Sequence, residues 1–133
     1  MAKLPDEARK RLEDTHFWHL ATLNPDGSPQ VSPVWVDVDD DDHVLVNTFI
    51  GRRKEKNMRR ESRVALSTRD KENPYANIQI QGRVIELIEG QRAEDHIDAV
   101  CEKYTGESPY PWRFPGERRV IAVIEPTRVA VRL

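Results

Sequence analysis

Segments with strand character dominate this chain and follow one another instead of alternating with helices. Six segments have the alternation or β-branched content of strands, and three charged segments carry apolar residues at helical spacing. We predict strands over residues 17–23, 30–38, 43–49, 64–68, 75–87 and 120–133, the last interrupted at Pro126, and helices over 5–14, 52–61 and 91–104. Clustered strands exclude a doubly wound parallel sheet. The prediction is a mainly β (α+β) fold, a small antiparallel barrel with helices at its edges.

Turn residues separate the predicted strands. Residues 24–28, Asn-Pro-Asp-Gly-Ser, combine a proline of fixed φ with a glycine that tolerates positive φ, so the first two strands form a hairpin. The acidic residues 39–42 would repel one another within a sheet and are predicted to form an exposed turn. Gly82 lies inside a predicted strand, where a glycine indicates a bend or a bulge.

Length and composition limit the possible function. The 133 residues suit one domain spanning 1–133, and 38% hydrophobic with 33% charged residues is a soluble, globular balance. A net charge of -2 argues against a surface committed to nucleic acid. Cys101 is the one cysteine, so no internal disulfide can form. With no apolar N-terminal stretch and no run of about 20 apolar residues, we expect a cytoplasmic protein without membrane contact.

The most informative segment is the basic helix that follows the third strand. Between Gly51 and Arg63 there are seven basic residues and two acidic ones. A helix N-terminus directs free N–H groups and partial positive charge at one point, and added Arg and Lys side chains make a phosphate site. A solvated helix that balances the acidic run 37–42 is an equally good interpretation. A nucleic-acid surface is weaker, because no aromatic residues alternate with the basic ones.

Histidine, cysteine and tryptophan give less specific signals. His16 and His19 are too isolated from other ligands for a metal site, so we expect none. His96 either lines the active site or caps the polar edge of the third helix. Cys101 lies on an apolar stripe and is expected to be inert. Trp35 could stack near a cofactor or pack at a dimer interface.

Several motifs resemble one known family, over roughly residues 12–131. They are the hairpin segments 20–23, 25–27 and 30–35; Asn47-Thr48 with Arg52-x-Lys54-x-x-Asn57; and the segments 63–66, 81–84, 104–106 and 110–113. Their order and spacing resemble the pyridoxamine 5'-phosphate oxidase-like, FMN-binding split-barrel superfamily. More narrowly, they resemble its deazaflavin branch, which uses coenzyme F-420.

The resemblance implies a six-stranded antiparallel split β-barrel of Greek-key type, forming a homodimer with two cofactor sites at its interface. It implies that Arg52, Lys54 and Asn57 bind the cofactor's phosphate. Strand residues would line the ring, and a second subunit would close the site. The implied ring-lining residues are Ser32, Pro33, Val34, Trp35, Asn47 and Thr48, and the implied closing residues are Trp112 and Arg113.

The implied activity is that of an oxidoreductase. Reduced coenzyme F-420, or alternatively FMN, would reduce a small conjugated acceptor such as a quinone, an enone or a tetrapyrrole. Vitamin B6 oxidation is disfavoured, because the chain ends at Arg132-Leu133 without the basic C-terminal segment of those oxidases. The alternatives are a carrier or sensor that binds the cofactor without fast turnover, and a basic interaction protein without a cofactor.

Overall fold

The computed structural model describes residues 2–133. Its ten elements follow the predicted order closely, with seven strands and three helices. They are α1 (Asp6–Glu13), β1 (Trp18–Leu23), β2 (Pro29–Val34), β3 (Asp37–Val38), β4 (Val44–Phe49), α2 (Arg53–Arg60), β5 (Arg63–Arg69), β6 (Asn77–Glu89), α3 (Gln91–Thr105) and β7 (Arg119–Arg132). The prediction of a mainly β chain with three helices is confirmed.

All seven strands pair into one antiparallel sheet in the order β2-β1-β5-β6-β7-β4-β3. The β1–β2 hairpin turns at residues 24–28, as predicted from its proline and glycine. Helix α1 packs on β3, α2 packs on β1, and α3 packs on β4, β6 and β7. The helices therefore lie outside the strand ladder, and the arrangement is consistent with a split barrel.

The sheet has seven strands where six were expected, because the predicted strand 30–38 divides at Trp35 and Val36. The backbone of Val36 bonds to side chains of α3 instead of to a strand. Its N–H donates to Tyr104 Oη at 3.1 Å, and its carbonyl accepts from Lys103 Nζ at 2.8 Å. These contacts redirect the chain from β2 at one edge of the sheet to β3 at the other.

The predicted interruption at Pro126 is wrong, because β7 runs unbroken through this residue. The register shifts between Gln81 and Gly82, so that Thr127 is an extra residue opposite the pair, and its hydroxyl donates to the Gln81 carbonyl. A Cβ on Gly82 would approach the Glu125 carbonyl oxygen to 2.8 Å. The bulge predicted at Gly82 is therefore confirmed, and it accommodates a proline that cannot donate to the ladder.

A main core fills the inner face of the sheet, and a smaller one lies under α3. Alternate residues of β1, β4 and β5 point into the main core, where Trp18 is fully buried. Ala93 of α3 packs on Ile121 and Val123 of β7 in the second cluster. Cys101 is buried on the apolar stripe of α3. This second cluster fixes α3 close to the ends of β2 and β4.

Within residues 2–133, none of the helices has the length and apolar content needed to cross a membrane.

Candidate active site

A cavity of about 220 Å³ lies where the end of β2, strand β4, the start of α2 and helix α3 approach one another. One wall is apolar and aromatic, and the other is basic. Its lining residues are Phe17, Pro33, Val34, Trp35, Asn47, Arg52, Lys54, Ile97, Val100, Tyr110 and Arg119. No aspartate or glutamate lines it, so the cavity is suited to an anionic group attached to an apolar one.

Lys54 is the most unusual residue of the basic wall. It lies in the first turn of α2 and is only 4% exposed, although its neighbours Arg53 and Lys56 are exposed. Burial, reinforced by the positive charges of Arg52 and Arg119, lowers the pKa of Lys54 from 10.5 to about 8. Within residues 2–133 no carboxylate forms an ion pair with it. A buried ammonium without an anion is costly, so this position favours an anionic ligand.

Two arginines extend the basic wall along aromatic rings. The Arg52 guanidinium lies 5.1 Å from the Phe49 ring centroid, and Arg119 lies 6.0 Å from the same ring. Arg119 also lies 5.1 Å from the Tyr110 ring. Arg52 is exposed, whereas Arg119 is 4% exposed. Such cation–π contacts hold guanidinium groups in place while leaving N–H donors free.

The start of α2 is organised by Glu55, which is buried. One carboxylate oxygen accepts the Gly51 N–H at 2.7 Å, and the other accepts from Arg59 Nε. Burial raises the pKa of Glu55, but these hydrogen bonds and the charge of Arg59 outweigh it, and the net shift is downward. Gly51 has φ of +104°, a value that a side chain would strain. The turn therefore holds Lys54 at the cavity with its own internal carboxylate cap.

The aromatic wall is built on Tyr104 of α3. The Trp35 ring stacks on Tyr104 at 5.3 Å with an interplanar angle of 14°, and Tyr110 meets Trp35 edge-on at 6.3 Å. Tyr104 Oη donates to the His16 carbonyl at 2.7 Å, which fixes its ring. Burial raises the pKa of Tyr104 to about 12. The phenol therefore stays neutral and supports Trp35 as a flat, rigid surface.

A chain of side-chain hydrogen bonds crosses from the surface to the cavity. Arg119 Nε donates to Asn47 Oδ1 at 2.9 Å, and Asn47 Nδ2 lies 3.1 Å from His96 Nδ1. His96 Nε2 lies 3.1 Å from Asp37 Oδ2. Burial raises the pKa of Asp37, yet the hydrogen bonds from His96 and the Val38 N–H lower it by more. His96 is not among the residues that line the cavity and lies at a polar edge of α3 one contact away, which fits the second alternative.

The cavity brings together six of the eleven residues suggested by the resemblance. These are Pro33, Val34, Trp35, Asn47, Arg52 and Lys54. Ser32 and Thr48 lie on neighbouring strand positions outside the lining, and their hydroxyl oxygens are buried without a hydrogen-bond partner within residues 2–133. Thr48 is 1% exposed in the core.

Asn57, Trp112 and Arg113 also lie outside the lining. Asn57 is fully buried and donates to Thr22 Oγ1 and Asn24 Oδ1, both at 3.0 Å, so it joins α2 to the first hairpin. Trp112 is 58% exposed and rests edge-on against Tyr110. Their roles toward a cofactor stay predictions.

Five lining residues were not singled out from the sequence. Ile97 and Val100 lie on the apolar stripe of α3, so their burial, though not their place in the site, could be read from helical spacing. Phe17 is the first residue of a predicted strand, and Tyr110 lies in the loop after the predicted third helix. Arg119 had no distinguishing signal, because Arg118 beside it is the same residue type and is exposed.

Comparisons with known proteins agree with this architecture. A family model described as pyridoxamine 5'-phosphate oxidase matches residues 4–132. An F-420 reductase of known structure superposes with a TM-score of 0.82 at 29% identity, over 96% of this chain and 98% of that one. A putative pyridoxamine 5'-phosphate oxidase from Lactobacillus delbrueckii gives 0.61 at 25% identity, over 97% and 94%.

A conserved hypothetical protein from Mycobacterium tuberculosis superposes with a TM-score of 0.75 at 23% identity, over 97% of this chain and 84% of that one, which supports the fold alone. A search of curated proteins finds no significant match. The resemblance inferred from the sequence motifs is confirmed, since the family model spans nearly the whole chain. The protein belongs to the pyridoxamine 5'-phosphate oxidase family.

Proposed function

We propose that this protein is an oxidoreductase that binds reduced coenzyme F-420 in the Lys54 cavity and uses it to reduce a conjugated organic acceptor. FMN is the alternative cofactor, and quinones, enones and tetrapyrroles are the acceptor types. The similarity to an F-420 reductase over almost the full length of both chains supports the deazaflavin. The observation that carries the proposal is Lys54, a buried cation that lies beside a flat aromatic wall and has no carboxylate partner among the described residues.

The residues present fit such a cofactor. Both coenzyme F-420 and FMN join a planar ring to a phosphate-bearing tail. The tail supplies the anion that Lys54 lacks, with Arg52 as a second donor at the mouth of the cavity. The ring can pack on Pro33, Val34 and Trp35, where apolar side chains exclude water. The cavity thus offers a separate environment to each half of the ligand.

The chain's own contribution is binding and orientation. The cofactor, when bound, supplies the hydride chemistry. Fixing it beside an acceptor can lower a barrier by about 7–11 kcal/mol in favourable cases. Trp35 is held by Tyr104, so the surface under the ring is rigid. The lining includes no cysteine or serine nucleophile, in keeping with a site that works without covalent catalysis.

We also propose that the site is completed by a second copy of the chain. A volume of about 220 Å³ falls below the roughly 300–1,000 Å³ typical of small-molecule sites. A partner surface could enclose the part of the cofactor that one chain leaves uncovered. Trp112 is the better supported of the two closing residues, because it is exposed, whereas Arg113 is bonded within its own chain.

Titration with oxidised and reduced coenzyme F-420, and separately with FMN, tests the proposal. We expect saturable fluorescence quenching by one of the two and hydride transfer to a quinone or an enone. Binding without turnover with any acceptor would favour a carrier or sensor. Failure to bind either cofactor would contradict the proposal and favour a basic interaction surface. Light scattering should give twice the chain mass of 15.4 kDa.

A further inference from the structure

Arg119 has one nitrogen atom that the protein does not use. Nε donates to Asn47 Oδ1 at 2.9 Å, and Nη1 donates to Glu117 Oε2 at 3.2 Å. The Glu117 side chain is 2% exposed, so this ion pair is buried. Nη2 has no hydrogen-bond partner within residues 2–133, and Arg119 lines the cavity. A buried guanidinium with one unused face can donate to a ligand there.

Asn47 fixes the orientation of this guanidinium. Its amide donates to the Ala93 carbonyl at 2.9 Å and toward His96 Nδ1, while its oxygen accepts from Arg119. Rotating the amide by half a turn would set its oxygen against the Ala93 carbonyl and its NH₂ against Arg119 Nε–H. Only one orientation satisfies all three neighbours, and it presents an acceptor to Arg119.

His96 supports Asn47 through one tautomer of its ring. Because His96 Nδ1 accepts a hydrogen bond from the Asn47 amide, this tautomer carries its proton on Nε2, which donates to Asp37 Oδ2. The four side chains belong to β3, α3, β4 and β7. Hydrogen-bond donation runs from Arg119 to Asn47, from Asn47 to His96 and from His96 to Asp37, so Arg119 is the first donor of the series.

We propose that Arg119 binds the cofactor's phosphate together with Lys54 and Arg52, and that Asn47 and His96 are positioning residues for it. The inference rests on the proposed function, since it concerns a ligand of the same cavity. Three cations and no carboxylate line this space. Phosphate oxygens suit that donor set, since an anionic phosphate group can accept from several N–H donors at once. Asn47 thereby acts through Arg119 rather than on the ring.

The first test compares ligands with and without phosphate. FMN and riboflavin share a ring, as do coenzyme F-420 and its phosphate-free deazaflavin core. We expect the double variant Arg119→Gln/Glu117→Gln, which avoids a buried unpaired carboxylate, to lose about 10–100-fold in affinity for the phosphate-bearing ligand. Affinity for the phosphate-free ligand should change less than about twofold. Arg118→Gln is the matched control, because Arg118 is exposed.

Two results would overturn the assignment of Arg119. One is unchanged affinity for the phosphate-bearing ligand in a folded variant. The other is an equal loss for both ligands, which would mean a contact with the ring or a general disturbance of the cavity. If the double variant does not fold, Arg119→Lys serves instead. It keeps the charge but cannot reach Asn47 and Glu117 together. The ratio of its affinities for the phosphate-bearing and phosphate-free ligands then tests the assignment in the same way.

The second test concerns His96. His96→Gln keeps an acceptor for Asn47 and a donor for Asp37, whereas His96→Phe removes both. We expect Phe to reduce the preference for FMN over riboflavin about 3–10-fold and Gln to restore it. The Arg119 Nε–H resonance should be protected from exchange in the wild type and in the Gln variant alone. Equal preferences in the two variants would reject the positioning role.

Failure of the proposed function can be told apart from failure of this inference. If the wild type binds neither cofactor, the proposed function fails. Inorganic phosphate is then titrated while the Arg119 Nε–H resonance is observed. A saturable shift that Arg118→Gln retains and Lys54→Met weakens would support an anion site at Arg119. Absence of a shift would overturn the inference as well.

Discussion

Lys54 and Arg113 are both basic residues that the family resemblance assigns to the cofactor, yet their surroundings are opposite. Arg113 lies in the loop after α3 and donates to Glu94 Oε1 at 3.1 Å, to Asp98 Oδ1 at 3.0 Å, and to the carbonyls of Tyr110 and Glu94. Lys54 is more deeply buried and has no carboxylate partner within residues 2–133. Arg113 is fully engaged within its loop, while Lys54 is the cation that we propose binds a ligand.

The two side chains differ in the number of unused hydrogen-bond donors, a property that neither charge nor motif spacing reveals. The hydrogen bonds with Asp98 and Glu94 outweigh burial and raise the pKa of Arg113. Burial raises the pKa of Asp98, but its hydrogen bonds with the Tyr110 N–H and Arg113 outweigh it, so the net shift is downward. For Lys54 the pKa moves downward, since burial and like charges act together. A cation that the fold destabilises can be stabilised by a bound anion.

The largest expected effect is a gain in stability when Lys54 is replaced by Met without ligand. The fall of the Lys54 pKa from 10.5 to about 8 implies that the charged form destabilises the fold by on the order of 3 kcal/mol at pH 7. Lys54→Met keeps an unbranched side chain of similar length and removes the charge. Urea unfolding at pH 7 should show the free energy of unfolding rising by about that amount. Lys56→Met, an exposed position two residues along α2, is the control and should change little.

The same residue predicts a pH dependence of stability. Between about pH 8 and 10.5 the unfolded chain holds a proton on Lys54 that the folded protein has released. Stability rises with pH wherever the unfolded state binds more protons. The free energy of unfolding of the wild type should therefore rise toward that of Lys54→Met across that window. The difference in unfolding free energy between the wild type and Lys54→Met has its maximum value below pH 8 and vanishes above pH 10.5. A difference that stays constant with pH would mean that Lys54 is not destabilised by burial.

Cofactor affinity should respond in the opposite direction. Lys54→Met is expected to weaken binding of the phosphate-bearing cofactor about 10–150-fold, the equivalent of about 1.5–3 kcal/mol for a hydrogen bond to a charged group. Arg52→Ala should cost less, because Arg52 is exposed and its charge is screened. Fluorescence titration at fixed ionic strength measures both. Unchanged affinity in both variants would refute the phosphate assignment. Lys54 would then, like Arg113, have no role in binding the cofactor.

Much of the fold could be predicted from local chemistry. The proline and glycine of residues 24–28 fix a hairpin by themselves, and the α3 stripe follows from helical spacing. The break between β2 and β3 could not be predicted, since it depends on Tyr104 and Lys103 bonding to Val36 from almost 70 residues away. Local patterns define elements, but tertiary contacts decide where some of them end.

The candidate site divides in the same way. The motif around Lys54 identified a cation beside a helix start, and this cation lines the cavity. The choice between Arg118 and Arg119 depends on the register of β7 against β4, in which Phe49 pairs with Arg119. Sequence spacing carries no information on that register. Asn57 shares the motif with Lys54, yet in the helix it faces the first hairpin.

Arg113→Met should have a moderate effect on stability and little on binding. Loss of its four hydrogen bonds is expected to lower the free energy of unfolding by about 1–2 kcal/mol, since the ion pairs are partly exposed. Thermal unfolding measures this, with Arg92→Met on the exposed face of α3 as the control. Cofactor affinity should change less than about twofold. A larger loss of affinity would mean that Arg113 contacts the cofactor, and the distinction drawn between Arg113 and Lys54 would be wrong.

The smallest effect on stability is expected at Trp112, which tests whether the loop serves the partner subunit's site. Its ring is 58% exposed and touches Tyr110 alone among the aromatic pairs of residues 2–133, so Trp112→Ala should change stability by less than about 0.5 kcal/mol. If the ring covers a cofactor across a dimer interface, affinity should still fall about 3–10-fold. Mixing Trp112→Ala with Lys54→Met protein then separates the two contributions. In a heterodimer, one site would carry both changes and the other neither, so half of the sites should regain wild-type affinity. No recovery, together with a lone chain by light scattering, would assign every contact of the site to one subunit.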